Sequence, residues 1–300
     1  GVPYEESPCK PGIIATIDSG KPGKFLMLRA DMDALPIQEK TGLPFESKVP
    51  GVMHACGHDI HTSNLLTIAE ILNRTKDQWK GKVKLVFQPA EENGGGGREM
   101  IKAGLMDEIP DACFALHVEN GIPGKIVVGS RYLTAYSDSY KITVHGKAAH
   151  SSTPEEGVDA VYIAASIVTA LHGIISRNLS PMDRATLNVG MIHGGTAPNI
   201  IADEVTLGVM LRNLSKESRE AMMKKIETIS NGIAESMGGS CDLAFRAGYA
   251  AVYNDEKFSD FVAATFRKYE DIIHEDLGDG KPEDWLITGE HPLLGAEDFG

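Results

Sequence analysis

The sequence contains few cysteines, and none of the four forms a C-x-x-C pair. Cys9, Cys56, Cys113 and Cys241 are widely spaced along 300 residues, which argues against a disulfide framework. A reducing compartment fits this pattern better, so we expect a cytoplasmic protein. A structural zinc site is also disfavoured, because such sites usually use two closely spaced pairs of Cys or His ligands.

Long apolar runs and clusters of basic residues are likewise missing. The longest apolar candidate, residues 158–171, is too short to span a bilayer, and the first residues show no signal-peptide pattern. The formal net charge of −13 argues against a nucleic-acid partner, which usually requires a basic face. We therefore expect no membrane and no nucleic-acid partner.

A run of four glycines, residues 94–97, lacks the G-K-[ST] ending of a phosphate-binding loop. Glycine accepts backbone conformations that other residues avoid. We therefore expect this run to let the backbone turn close to the preceding Glu92.

The most informative segment that is present runs from His54 to His61. It holds three imidazoles, one thiol and one carboxylate, in a chain with only four cysteines and ten histidines. A thiolate and a neutral imidazole two positions apart, as at Cys56 and His58, are good ligands for a divalent transition metal. The segment predicts a metal centre, and further ligands should come from elsewhere in the chain.

Three short apolar runs before residue 120, at residues 24–29, 83–88 and 112–116, read as strands. Helices are predicted between them over Thr62 to Asn73 and from about Arg98 to Met106. This alternation predicts an α/β fold with a largely parallel sheet. Each strand ends in acidic residues or histidine, and ligands of open α/β sheets bind beyond the carboxyl ends of the strands. The polar residues expected to converge there are Asp31 or Asp33, Glu91, Glu92 and His117.

A second pattern occupies residues 136–249. Strands are predicted at residues 140–145, 186–192, 204–211 and 241–247, and helices at 158–175 and 216–237. The order β-α-β-β-α-β is that of the ferredoxin-like unit. A helix at 255–269 is expected to return to the first domain. The predicted domains are therefore 1–135 together with 250–300, and an inserted domain at 136–249.

The donor set predicts the chemistry. With Cys56, His58, Glu92 and His117 as ligands, the mixed S/N/O site suits zinc, manganese, cobalt or nickel, and the sequence does not choose among them. His54 is expected to support the site, and His61 could be either a ligand or a supporting residue. Glu91 could then act as general base toward a water acidified by the metal and pass the proton to a leaving amine. We place Asp33 beside Glu91 among the catalytic candidates.

The chain resembles the M20 metallo-amidohydrolases and peptidases, in particular the aminoacylase, hippurate hydrolase and auxin-conjugate hydrolase group. The resemblance is carried by seven motifs in the family's order: Arg29 to Pro36, His54 to Asp59, Gln88 to Glu92, Leu116 to Val118, Gly146 to Ser151, Gly194 to Asn199 and Gly295 to Phe299.

The resemblance implies a zinc-exopeptidase-like catalytic domain with an inserted ferredoxin-like lid that often dimerises. It implies a pair of divalent metals on Cys56, His58, Glu92 and His117, with Glu91 as general base. It also implies that His150, Asn199 and Arg212 hold the substrate, and that His150 does so across a homodimer. Family members usually extend further at both ends and carry a final His ligand after the last motif. We therefore expect this chain to be truncated at both ends.

The sequence is compatible with three functions. The leading hypothesis is metal-dependent hydrolysis of the amide bond of N-acyl amino acids, with a small N-acyl amino acid or short peptide as substrate. A dipeptidase on the same fold is the nearest alternative. A non-catalytic binding protein that lacks the last metal ligand is the alternative from a different class.

Overall fold

The computed structural model describes residues 1–120, 123–277 and 282–300. Two compact units make up the chain: Gly1–Pro123 with Phe299, and Gly124–Asp298 with Gly300. Both combine helices with a sheet, which confirms the predicted α/β class. Among the described residues, no helix has the length and apolar character needed to cross a membrane.

The first unit is a five-stranded sheet with helices packed against it. Its elements are β1 (Tyr4–Glu6), β2 (Ile13–Asp18), β3 (Phe25–Asp31), α1 (His58–Arg74), β4 (Lys82–Gln88), α2 (Glu91–Gly94), α3 (Gly96–Lys102) and β5 (Ala112–Ala115). The strand order is β1-β2-β4-β3-β5, with β3 parallel to both β4 and β5. α1 buries Leu65 and Ala69 against Ile17, Val83 and Leu85 of the sheet. The carboxyl ends of the three parallel strands therefore lie at one edge.

The three predicted strands of this unit are confirmed. The helix predicted from Thr62 begins four residues earlier, at His58, directly after Gly57, which has a left-handed backbone conformation and provides no side-chain cap. The sequence did not predict β1 and β2: β2 pairs with β4 and β1 with β2, both in antiparallel fashion. The sheet is thus mixed, with a parallel half that carries the polar strand ends.

The second unit contains a four-stranded antiparallel sheet and a smaller α/β layer. Its elements are β6 (Ile126–Gly129), β7 (Arg131–Tyr132), β8 (Tyr136–His145), β9 (Ala149–His150), α4 (Ala160–Leu171), α5 (Gly173–Asn178), β10 (Ala185–Gly194), β11 (Ile200–Ile201), β12 (Glu204–Asn213), α6 (Lys216–Ser236), β13 (Ser240–Ala247), β14 (Tyr253–Asn254), α7 (Glu256–Lys268), α8 (Glu270–Leu277) and β15 (Leu286–Gly289). The order β10-β12-β8-β13, with helices after β8 and β12, is that of the predicted ferredoxin-like unit.

One face of this sheet is covered by α4 and α6. Ile163, Ile167 and Leu171 of α4 and Ile226 of α6 are buried against the apolar side chains of β8 and β12. Asp159 and Ser215 cap the two helices by accepting backbone N–H groups of the first turn. The predicted helix at 158–175 is interrupted near His172, so it forms α4 and α5.

A buried ion pair joins the sheet to α6. Both Asp138 carboxylate oxygens accept from the Arg219 guanidinium, at 2.6 and 2.9 Å. Asp138 is buried, and Tyr136 and Phe245 lie against the guanidinium, with ring centroids 5.3 and 5.7 Å from its carbon. Such a bidentate pair fixes the helix relative to the strands.

The smaller layer joins segments that are far apart in sequence. β6 is parallel to β15, β7 pairs with β14, and α7 packs on β6 and β15. Residues 124–135 thus assemble with residues from 250 onward, as a discontinuous domain requires. These segments group by contacts with the second unit. The division into 1–135 with 250–300, and 136–249, stays a prediction.

Candidate metal centre

The sequence-predicted ligands of the first unit come together at the edge formed by the parallel strand ends. The ligand atoms of Cys56, His58 and His117 lie within 4.8 Å of one another, and those of His58, Glu91 and Glu92 form a second such group. The Cys56 thiol sulfur is 3.5 Å from His117 Nε2. His58 belongs to both groups, so the donors form one continuous cluster.

Gly57 sets the geometry between Cys56 and His58. Its φ of 89° lies in the left-handed region, and α1 begins immediately after it. A Cβ at this position would lie 2.4 Å from Val118 Cγ2, in the segment that follows β5, so both the backbone conformation and this contact favour glycine. The turn places the thiol before the helix and the imidazole in its first turn.

A second sharp turn places Glu91 and Glu92. Ala90 has φ 57° and Gly95 has φ 61°, so left-handed residues stand on both sides of the short helix α2. The Gly96 N–H donates to the Ala90 carbonyl, and a Cβ on Gly96 would lie 1.7 Å from the Pro89 oxygen. The predicted role of the glycine run, a close backbone turn after Glu92, is confirmed.

Asp33 ties the two turns together. Its carboxylate accepts the backbone N–H groups of Glu91 and Glu92, both at 3.0 Å. Its carbonyl oxygen accepts from His58 Nδ1 at 3.0 Å. Burial would raise the pKa of Asp33, but the His58 contact and the two N–H donors lower it to about 2. Asp33 is therefore an ionised anchor for both candidate glutamates and for His58.

Asp31 forms a buried polar network behind the ligands. One carboxylate oxygen accepts from Arg29 Nη1 at 2.9 Å, and the other contacts His61 Nδ1 at 2.5 Å. Burial would raise the pKa of Asp31, but the His61 hydrogen bond and the Arg29 charge lower it. Arg29 also donates to Gln88 Oε1 at 2.9 Å.

His61 cannot act as a ligand without losing one of its hydrogen bonds. Its Nε2 accepts the Val118 N–H at 2.9 Å, so that nitrogen carries no proton in the neutral ring. Nδ1 then carries the proton and donates to Asp31. Both ring nitrogens of His61 are thus engaged, and its role as a ligand or as a supporting residue stays a prediction. The exposed His54 belongs to none of the candidate groups in the described part of the chain.

The two candidate histidine ligands, His58 and His117, both use Nδ1 for a backbone contact, which leaves Nε2 for a metal. His58 Nδ1 donates to the Asp33 carbonyl, and His117 Nδ1 donates to the Val118 carbonyl at 2.5 Å. Backbone contacts of this kind fix the tautomer and the ring orientation of metal-binding histidines.

The donor set fits a divalent transition metal. His58 Nε2 and Glu92 Oε1 are buried with no hydrogen-bond partner, which is costly unless a cation takes that place. Without metal, burial and the nearby Glu92 raise the pKa of Cys56 to about 12. Burial would lower the pKa of His58, but Asp33 and Asp31 raise it to about 9. The site is therefore electronegative and retains protons that a cation would replace.

The substrate-binding candidates of the second unit form two separate groups. The pairing of β9 with β11 brings His150 opposite Ile200, and the Asn199 carbonyl accepts from the Ser151 N–H at 3.1 Å. His150 is exposed, and its Nδ1 is 2.7 Å from Ser152 Oγ. His150 and Asn199 lie near the first residue of β12, because β11, which pairs with β9, ends three residues before it.

Arg212 lies near the last residue of β12, roughly 26 Å further along the strand at about 3.3 Å per residue. Its Nη1 donates to the Leu294 carbonyl at 3.1 Å. The structure therefore brings His150 and Asn199 together and leaves Arg212 at the opposite end of the sheet.

Sequence reasoning did not predict the buried hydrogen bonds that join Arg29, Asp31 and His61. The available signal was the pair Arg29-x-Asp31: two charges on the same side of a strand whose neighbours are apolar. Charged residues are almost never fully buried unless paired, so this pattern could have indicated a buried polar network.

Comparison with known proteins places these features in context. The profile of Peptidase family M20/M25/M40 matches residues 27–282. Thermostable carboxypeptidase 1 of Saccharolobus solfataricus is 36% identical over 304 residues, which cover 100% of this chain and 73% of that protein. Hippurate hydrolase of Campylobacter jejuni is 36% identical over 99% of this chain and 74% of that protein.

One solved structure is similar to this chain in both fold and sequence. The Bacillus subtilis YXEP protein, described as a dinuclear metal-binding peptidase from the M20 family, superposes with a TM-score of 0.81. It is 31% identical, and the match covers 99% of this chain and 74% of that one.

Proposed function

This chain belongs to peptidase family M20/M25/M40, and on that premise we propose that it is a metal-dependent amidohydrolase that cleaves the amide bond of N-acyl amino acids. The observation that carries the proposal is the cluster of Cys56, His58, Glu92 and His117 beside the second glutamate, Glu91. Similarity to a hippurate hydrolase supports an N-acyl amino acid as the substrate class.

The same residues define the cofactor. A pair of divalent cations, as described for the dinuclear relative, would be held by Cys56, His58, Glu92 and His117. Zinc, manganese, cobalt and nickel all accept this mixture of sulfur, nitrogen and oxygen donors. When bound, such a cation supplies Lewis acidity, which lowers the pKa of water to about 7 and stabilises negative charge on the amide oxygen.

Glu91 is proposed as the general base. It is buried, its N–H is held by Asp33, and its carboxylate lies in the same group as His58 and Glu92. In this role Glu91 accepts the proton of the attacking water and delivers it to the departing amine nitrogen. Asp33 keeps the Glu91–Glu92 peptide in place while this proton moves, which is why we group it with the catalytic machinery.

The second unit is proposed to bind the substrate and to mediate a homodimer. His150, Asn199 and Arg212 offer an imidazole, an amide and a guanidinium to a carboxylate or a carbonyl. The separation along β12 keeps His150 and Arg212 of one copy apart, so we propose that a site uses His150 of the partner copy. β10 is a ten-residue edge strand with exposed Met191 and Ile192, and such an edge is a template for pairing with a second chain.

The test uses the full chain with Mn²⁺ or Zn²⁺ and a panel of N-acyl amino acids that includes hippurate. We expect turnover that is abolished by chelation and lowered about 10²–10⁴-fold by Glu91→Gln, with metal content unchanged. Glu99→Gln, which alters an exposed glutamate on α3, is the matched control and should leave turnover as in the wild type. Metal-bound protein with no turnover on any member of the panel would refute the proposal.

A peptidase activity is the second candidate, because the chain is also similar to a carboxypeptidase. Dipeptides offered beside the matching N-acetyl amino acids separate the two. A higher kcat/KM for dipeptides would favour the peptidase, whereas a higher kcat/KM for N-acyl amino acids would favour the amidohydrolase.

The dimer proposal is tested by light scattering and by mixing inactive variants. Glu91→Gln and His150→Ala chains should restore part of the activity when mixed, because one site of the mixed dimer has both intact residues. A monomer at all concentrations would overturn it.

All four cysteines are free, which supports a reducing compartment such as the cytoplasm.

A further inference from the structure

The first unit contains a chain of buried hydrogen bonds that ends beside the candidate ligand His117. It passes from Gln88 through Arg29 and Asp31 to His61, and all four residues are buried. The last link is the Val118 N–H, which donates to His61 Nε2 at 2.9 Å. None of these residues belongs to the proposed ligand set, and none is the proposed general base.

Val118 adjoins His117, and its carbonyl accepts from His117 Nδ1. The N–H and the carbonyl of Val118 thus contact two different imidazoles, one buried and one exposed at the cluster. The ring centroids of His61 and His117 are 4.7 Å apart with their planes at 66°. The position of the Val118 backbone therefore determines where His117 Nε2 lies relative to the Cys56 sulfur, 3.5 Å away.

Asp31 determines which way the His61 imidazole presents its two nitrogens. A carboxylate can only accept, so it requires the proton of His61 on Nδ1, and this leaves Nε2 free to accept from Val118. The Arg29 guanidinium compensates the buried carboxylate on its other oxygen. The orientation is set because no other arrangement of protons satisfies all three groups.

We propose that His61 is a positioning residue: oriented by Arg29 and Asp31, it holds the Val118 peptide so that His117 Nε2 meets the metal. This inference rests on the proposed function, since it concerns the same metal centre. It assigns His61 to the support of one ligand rather than to coordination. Outer partners of this kind typically change metal affinity by about 10- to 100-fold when removed.

Three variants distinguish the effect of the two His61 hydrogen bonds from the effect of the side chain's bulk. His61→Gln keeps an amide that can donate to Asp31 and accept from Val118, whereas His61→Leu keeps bulk and loses both hydrogen bonds. His145→Leu, which removes a half-buried histidine from β8 in the second unit, is the matched control. Zn²⁺ affinity is measured by chelator competition, and thiolate coordination is followed by the near-ultraviolet charge-transfer band of the Co²⁺ form.

We expect His61→Leu to weaken Zn²⁺ binding about 10- to 100-fold, His61→Gln to stay within about threefold of the wild type, and His145→Leu to match it. Imidazole ¹⁵N spectra of the metal-free wild type should show His61 protonated on Nδ1. If His61→Leu does not fold, His61→Asn, which is too short to bridge both partners, replaces it with the same expected loss.

Two results would overturn the inference: Zn²⁺ affinity of His61→Leu equal to that of the wild type, or a loss in His61→Gln as large as in His61→Leu. Either would leave the proposed hydrolase intact. A wild-type chain that binds neither Zn²⁺ nor Co²⁺ would instead refute the proposed function together with this inference, so the two failures are distinguishable.

Discussion

Replacement of Asp33 by Asn should destabilise the first unit by about 2 kcal/mol at neutral pH. A carboxyl whose pKa falls from 3.8 to about 2 on folding stabilises the folded state by roughly that amount. The side chain is 19% exposed, so solvent screening reduces the effect only modestly. The local contacts lead to a similar figure, because an Asn amide leaves one of two N–H donors without an acceptor, at about 1–3 kcal/mol.

The pH dependence provides an independent check on the cause. Because the pKa of Asp33 is lowered on folding, its contribution is fully present above about pH 4 and is lost as the pH falls toward 2. The stability difference between wild type and Asp33→Asn should therefore be the same at pH 7 and pH 5, and smaller at pH 3.

Urea unfolding of metal-free protein measures the difference. The chain has two tryptophans, Trp79 in the first unit and Trp285 in the second, so a Trp285→Phe background reports the first unit alone. Asp18→Asn is the matched control, because the Asp18 carboxylate accepts one N–H on the surface, and it should change stability by less than about 0.5 kcal/mol. A difference below about 0.5 kcal/mol for Asp33→Asn, or one that grows toward pH 3, would refute the reasoning.

Metal binding should strengthen by up to about a hundredfold per pH unit between pH 6 and 8, since a cation displaces protons from Cys56 and His58, whose metal-free pKa values are about 12 and 9. Calorimetry in buffers of different ionisation enthalpy should count up to two protons released, and a pH-independent affinity would contradict this. Arg219→Met should cost the second unit about 3–5 kcal/mol, read from Trp285 fluorescence, because it leaves the buried Asp138 carboxylate without its ion-pair partner. Gly96→Ala should lower both stability and Zn²⁺ affinity, because its Cβ would lie 1.7 Å from a carbonyl oxygen, whereas Gly173→Ala, with open space around it, should change neither.

Much of the metal centre was accessible from sequence because the strand ends carry the information. Parallel strands place their carboxyl ends at one edge, so polar residues after residues 31, 88 and 115 had to converge. Cys56 and His58 then needed only a turn, and Gly57 supplies it. The periodicity of 136–249 was equally clear because its strands alternate and its helices have one apolar face.

The unpredicted parts depend on tertiary contacts. β1 and β2 are short and pair antiparallel at the edge of the sheet, where nothing in a three- or six-residue run identifies the neighbour. The role of His61 depended on which groups face its two nitrogens, Asp31 from a strand and Val118 from a loop 57 residues away. Spacing along α1 could not distinguish a ligand from a support.

Ala90 carries a consequence for how the protein responds to heat. An L-residue with φ 57° is less favourable by roughly 1–2 kcal/mol than one in the right-handed region. Ala90, which has this conformation, directly precedes Glu91. Local opening free energies vary across a protein, and we expect the segment that contains Ala90 to open before the surrounding sheet does. Thermal inactivation should therefore precede melting, so that the temperature optimum of the reaction lies below Tm, and the loss should reverse on cooling.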